Sequence, residues 1–181
     1  MGEIMTCSFK MFDPLHPDVD LIDIEDIAHA LSMLCRANGH FLNFYSVGQH
    51  SVNCAREAEA RGHSRKVQLA CLLHDASEAY LADVTRPVKA ELPRYKEIEA
   101  PLQDLIWNKW LSSPLTETEN TQVFEIDDDM LANEFVHIMN VKIVDPTPEL
   151  LSAGEFSFTG FDTCKEDFLT RFRQLTQEAS I

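Results

Sequence analysis

A chain of 181 residues with an apolar fraction of 45% has material for one hydrophobic core and needs no second domain. Lys and Arg total 15 against 30 Asp and Glu, a formal charge of -15 at pH 7; this argues against a phosphate-backbone face for long nucleic acid, so a small anionic substrate has to be met by local Arg, Lys or a metal. Cys7, Cys35, Cys54, Cys71 and Cys164 are odd in number and scattered without a C-x-x-C pair, which reads as reduced, buried thiols; with no signal-peptide core and no apolar run of bilayer length, the expectation is a soluble, cytoplasmic protein.

Residues 1–22 lack a clear period, and Phe12 to Pro17 reads as a turn-rich lead-in. From Asp23, a possible cap, the apolar positions Ile24, Ile27, Ala28, Leu31, Leu34 and Cys35 fall on one stripe. They predict a helix over 24–37 closed by Asn38-Gly39. Arg36 then sits in the last turn, where it offsets the helix dipole or holds a phosphate. Ser46-Val47-Gly48-Gln49 matches a capping box and opens a second helix, with His50 in its first turn and Gly62 at its close. Val47, Val52, Cys54 and Ala55 supply its apolar positions, and Arg56, Glu57, Glu59 and Arg61 its charged face. Ser64 caps a third helix through Val67, Leu69, Ala70, Leu72 and Leu73, ending in His74-Asp75.

Asp83 to Lys89 reads as a loop, because Pro87 disfavours helix at Arg86. Pro93 opens the next helix, whose stripe runs to Trp110 and which Pro101 should kink or interrupt. A polar connection over 112–120 leads to a helix over 121–139, and a last helix covers 163–178. Only Asn140 to Val144 alternates like a strand. The fold class expected is all-α, a compact single-domain helical bundle over 1–181.

A buried helix does not carry His74 and Asp75 side by side without a charged partner or a metal. Glu78 shares their face if the helix continues. In Asp127-Asp128-Asp129 the spacing to Val123, Met130 and Glu134 turns Asp127 inward. His50, His74, Asp75 and Asp127 can thus be grouped around one divalent metal ion, of the kind Mn, Co, Fe, Zn or Mg. Such an ion would acidify water and offset phosphoryl charge, with Glu78 transferring the proton or orienting the water and Asp83 assisting. Arg36, Arg86 and Lys89 are the candidates to hold phosphate oxygens. Phe41, Phe44, Tyr45 and Tyr80 can stack on a base or serve the core.

Asp23 to Leu31, Tyr45-Ser46-Val47-Gly48-Gln49-His50-Ser51, Leu73 to Tyr80 and Asp83 to Lys89 together resemble the HD-domain metal-dependent phosphohydrolases. The branch they resemble holds bacterial 5'-deoxynucleotidases and small phage-type deoxynucleoside triphosphohydrolases, and the likeness covers about residues 10–140. It implies an HD-type helical fold, metal ligation by His50, His74, Asp75 and Asp127, and catalysis by Glu78 and Asp83. It also implies a phosphate near Arg36, although Ala37 replaces the usual aromatic there. The expected activity is metal-dependent attack of water on a (deoxy)nucleoside 5'-monophosphate, with triphosphate hydrolysis as the alternative. The expected partner is a small-molecule nucleotide, with neither long nucleic acid nor membrane, and homodimerisation follows by family analogy. A non-catalytic nucleotide-binding HD module is the rival from another class; such a module would usually have lost Glu78 or a ligand, and none is missing. A purely structural metal site would have no use for Arg36, Arg86 or Lys89.

Overall fold

The computed structural model describes residues 2–177. The Asp23 carboxylate accepts the Glu25 N–H and starts α1 (Ile24–Met33), whose Ile27, Ala28 and Leu31 are fully buried. This helix ends earlier than its apolar stripe predicts. Leu34 and Cys35 are extended, Cys35 bridges Ser46, and Arg36–Gly39 forms a 3-10 turn in which Ala37 and Asn38 take φ of 54° and 51°. Arg36 therefore lies outside α1, and its N–H donates to the Tyr45 carbonyl. The apolar residues of the stripe still reach the core, which is why the sequence pattern runs on past the helix.

At the centre is α2 (Val47–Ala60), buried on nearly all sides. The Ser46 hydroxyl accepts the Gln49 N–H as expected, but Gln49 does not reach back. Its side chain donates instead to the carbonyls of Glu155 and Ser157. Gly48 permits close passage of α1, since a Cβ there would lie 3.1 Å from the Leu31 and Ser32 backbone. Against α2 pack α3 (Arg65–Leu73), capped by Ser64, and α7 (Phe161–Thr176), while α1 also lies on α7.

Arg86 to Ala90, expected as loop, forms the short helix α4. Pro87 lies in its first turn, where a missing N–H forfeits no helical bond. The next helix, α5 (Pro93–Trp110), runs on through Pro101, which faces solvent. Thr116 and Glu119 form a capping box, so α6 (Glu117–Met139) begins inside the stretch expected as a polar connection. Asn140, in the left-handed region at φ 54°, ends α6. Residues 140–160 are irregular, and Asn140 to Val144 forms no strand. The strands are instead β1 (Ile4–Met5) and β2 (Met11–Phe12), a small antiparallel pair in the segment read as a lead-in.

The result is an all-α fold around one main core drawn from α1, α2, α3, α5, α6 and α7. Tyr80 stacks on Phe12 at 4.2 Å, and Phe41 and Tyr45 form a small buried cluster with Ile138. Tyr80, Phe41 and Tyr45 are thus core, whereas Phe44 lies edge-on to Phe158. All five cysteines are free thiols; Cys54, Cys71 and Cys164 are buried, Cys35 is partly so, and Cys7 is exposed, contrary to the expectation of buried thiols throughout. Among the described residues no helix is long and apolar enough to cross a membrane.

Candidate metal centre

Three helices and one break in a helix bring the chemical groups together. His50 comes from the first turn of α2 and Asp127 from the middle of α6. The third helix stops at Leu73, His74 caps it, and a 3-10 turn over Ala76–Ala79 follows Asp75. Gln103 of α5 holds the break: its amide donates to the Leu73 carbonyl at 2.7 Å and its oxygen accepts the Ser77 N–H at 3.1 Å. Glu78 therefore reaches the site on a tight turn, not on a continued helix face.

Each imidazole has its Nδ1 committed. His50 Nδ1 lies 2.6 Å from Glu134 Oε1, and His74 Nδ1 lies 2.7 Å from the Cys71 carbonyl. Both partners accept only, so both Nδ1 atoms donate. The two Nε2 atoms then face each other at 3.2 Å, and at most one of them can carry a proton. Asp127 Oδ1 lies 3.2 Å from His50 Nε2 and 3.7 Å from His74 Nε2. Asp75 Oδ2 lies 3.2 Å from His74 Nε2 and 3.8 Å from His50 Nε2. Bonds of about 2.0–2.2 Å from these atom types to one ion set neighbouring donors about 3.0–3.6 Å apart, so the spacing fits a small cation.

The electrostatics favour positive charge at this point. Burial works against ionising Asp75 and Asp127, but the adjacent histidines hold both carboxyls below the usual range. Burial likewise opposes charge on His74, and the same carboxylates raise its pKa well above the ordinary imidazole value. A proton thus balances the cluster at the position where a metal ion would. His50, Cys54 and His74 also form a group of potential metal ligands within 4.8 Å of one another. The Cys54 sulfur lies 3.5 Å from His50 Nε2 and 3.9 Å from Nδ1. Such similar distances set it beside the ring rather than along the Nε2 lone pair, and burial keeps its thiol pKa well above normal. In this rotamer Cys54 flanks the centre without pointing into it.

The remaining residues singled out in the sequence surround these donors. Glu78 is buried, its Oε1 lies 3.4 Å from Lys89 Nζ, and its Oε2 has no hydrogen-bond partner among the described residues. Burial, then the charges of Asp75 and Asp83, push its pKa well above the glutamate value. Asp83 is half-buried and raised for the same first reason. Lys89 also pairs with Glu99 at 2.7 Å. Arg86 bridges Asp127, at 2.6 Å, and Asp128, with its side chain 55% exposed. Arg36 is not an open phosphate ligand in this arrangement. It is buried and engaged by Glu134, Asp75 and Asp127. Asp128 and Asp129 turn outward, the latter to Arg61.

Sequence reasoning named Glu134 only as a marker of the buried side and Cys54 only as an apolar position. Both touch His50. The seven-residue interval from Asp127 to Glu134 was the available signal for the first; Gln103 carried none.

No family model matches the chain. It is similar to an uncharacterized Escherichia coli K12 protein, YfdR, with 38% identity over 118 residues, covering 65% of this chain and 64% of the relative. It is also similar to an uncharacterized Rhodobacter capsulatus protein, with 41% identity over 98 residues, covering 51% of this chain and 50% of the relative. The chain thus spans under two thirds of the length of either relative.

Proposed function

We propose that this protein is a metal-dependent phosphohydrolase acting on a nucleotide, a (deoxy)nucleoside 5'-monophosphate in the first instance. The observation that carries the reading is the pair of Nε2 atoms 3.2 Å apart, each imidazole locked through Nδ1, with carboxylate oxygens of Asp75 and Asp127 closing on them. His50, His74, Asp75 and Asp127 would hold the ion; bound there, a divalent cation would acidify water and offset charge on a phosphoryl oxygen.

Glu78 supports a hydrolytic reading over a purely structural metal site. A buried carboxyl with one oxygen unpartnered and a raised pKa holds a proton that a leaving oxygen can take, or accepts one from water. Lys89 limits where that carboxyl points. Arg86, accessible and held by Asp127 and Asp128, can exchange a carboxylate for a phosphate without unfolding anything. The charge of -15 suits a small substrate, drawn in by these local cations, better than a polyanion. The resemblance to HD-domain phosphohydrolases points to the same chemistry.

The test is release of phosphate, pyrophosphate or triphosphate from a panel of deoxy- and ribonucleoside mono- and triphosphates, after chelation and readdition of Mn²⁺, Co²⁺, Mg²⁺ or Zn²⁺. Metal-dependent release of phosphate from monophosphates is expected. Release of triphosphate alone would shift the substrate, and no release with any pairing would refute the enzyme reading.

A further inference from the structure

The Arg36 guanidinium touches three acidic side chains at the candidate centre, Asp127 and Glu134 from α6 and Asp75 from the turn after α3. Its Nε donates to Glu134 Oε2 at 2.9 Å, its NH1 to Asp75 Oδ2 at 3.4 Å, and its NH2 lies 3.6 Å from Asp127 Oδ1. The Asp75 and Asp127 oxygens are the same atoms that approach His50 and His74. The other Glu134 oxygen, Oε1, takes the His50 Nδ1 proton at 2.6 Å, and Glu134 is 0% exposed. One buried carboxylate thus ties an imidazole to an arginine, and that arginine ties together two further carboxylates. Arg36 reaches this position because the chain leaves α1 early and runs extended through Leu34 and Cys35, bridged to Ser46.

We infer that Glu134 and Arg36 act as a positioning pair for the metal centre: Glu134 keeps the His50 proton on Nδ1 and aims Nε2 inward, while Arg36 spaces the Asp75 and Asp127 oxygens. The inference rests on the metal-site reading above. A planar fork suits the second task, because one guanidinium addresses three acceptors in fixed directions and a lysine ammonium does not. A carboxylate suits the first, since a glutamine in its place has one acceptor oxygen for two donors, His50 Nδ1 and Arg36 Nε. Partners of this kind around metal-binding histidines change metal affinity by about 10–100-fold when removed.

The experiment is calorimetric titration of Co²⁺ and Zn²⁺ into the metal-free full chain, for wild type, Glu134→Gln and Arg36→Lys. Each variant is expected to bind about 10–100-fold more weakly than wild type, and Arg36→Lys does so although its charge is kept. Affinities equal to wild type in both variants would overturn the inference. An Arg36→Lys protein that binds metal normally but has a raised nucleotide KM would make Arg36 a phosphate ligand and overturn its positioning role. A wild type that binds neither ion refutes the underlying metal reading, an outcome distinct from the first two. If Glu134→Gln does not fold, histidine ¹⁵N spectra of the zinc-loaded wild type still decide. The His50 proton on Nδ1, with zinc on Nε2, is expected, and the reverse would overturn the assignment.

Discussion

Helix α2 carries two buried polar faces, and they have opposite characters. On one, Gln49, Asn53 and Glu57 recur every four residues and clamp the irregular segment that follows α6. Gln49 and Asn53 both donate to the Glu155 carbonyl, and Glu57 accepts the N–H groups of Leu151 and Ser152, the Ser152 hydroxyl and the Arg61 guanidinium. Donors there meet acceptors, and Gln49 Oε1 is the one acceptor left without a partner among the described residues. On the other face, His50 points its free nitrogen at another imidazole nitrogen and two carboxylates, a set of acceptors that calls for positive charge between them. Burying polar groups costs free energy in both places. The first face recovers most of it within the chain and builds architecture, whereas the second relies on Arg36, on Arg86 and on a positive charge shared between the facing imidazoles.

The contrast can be broken by substitution, and the largest effect belongs to the His50 face. Asp75→Asn is expected to abolish metal binding and turnover together, with helical content by circular dichroism largely kept. Glu78→Gln is expected to keep the metal and lower kcat by about 10²–10⁴-fold, as read by paired calorimetry and initial rates.

On the clamping face the cost falls on stability instead. Glu57→Gln should destabilise by about 1–3 kcal/mol, measured by urea unfolding, and leave metal affinity unchanged. Burial raises the Glu57 pKa, but the donors from Leu151, Arg61 and Ser152 more than compensate and hold it below the ordinary value. A folded pKa below the unfolded one makes this stabilisation complete above the unfolded value, about 4.3. It is lost as pH falls through the folded one. Wild type should therefore lose this increment on acidification, and Glu57→Gln should lack that part of the pH dependence. The smallest effect is expected at Asp128, whose exposed carboxylate meets Arg86 outside the centre. Asp128→Asn should change stability by no more than about 0.5 kcal/mol.

Local chemistry made much of this fold legible. The caps Asp23, Ser46 and Ser64 mark helix starts in sequence and in structure, because a capping hydroxyl or carboxylate needs only the next few residues. The spacing of Asp127 to Val123, Met130 and Glu134 likewise favoured one carboxylate of three, in part by helix geometry and in part by the register of the family it resembles. What stayed hidden depends on distant partners. The break after Leu73 is held by Gln103, and Glu57 looks like one of four surface charges until Leu151 and Ser152 arrive. The exit of Arg36 from α1 rests on extended backbone at Leu34 and Cys35 and on the distant bridge to Ser46, and the turn after it on positive φ at Ala37 and Asn38, which are not the glycine that would advertise it. A helix also formed where Pro87 suggested a loop, since proline is compatible with a first turn as well as with none.

The measurement that bears most directly on the central claim is anomalous diffraction from crystals of the full chain grown with Co²⁺. The account expects one strong peak within bonding distance of His50 Nε2, His74 Nε2, Asp75 and Asp127. A peak bound through Cys54 in place of the aspartates, or no peak at the imidazole pair, would contradict it.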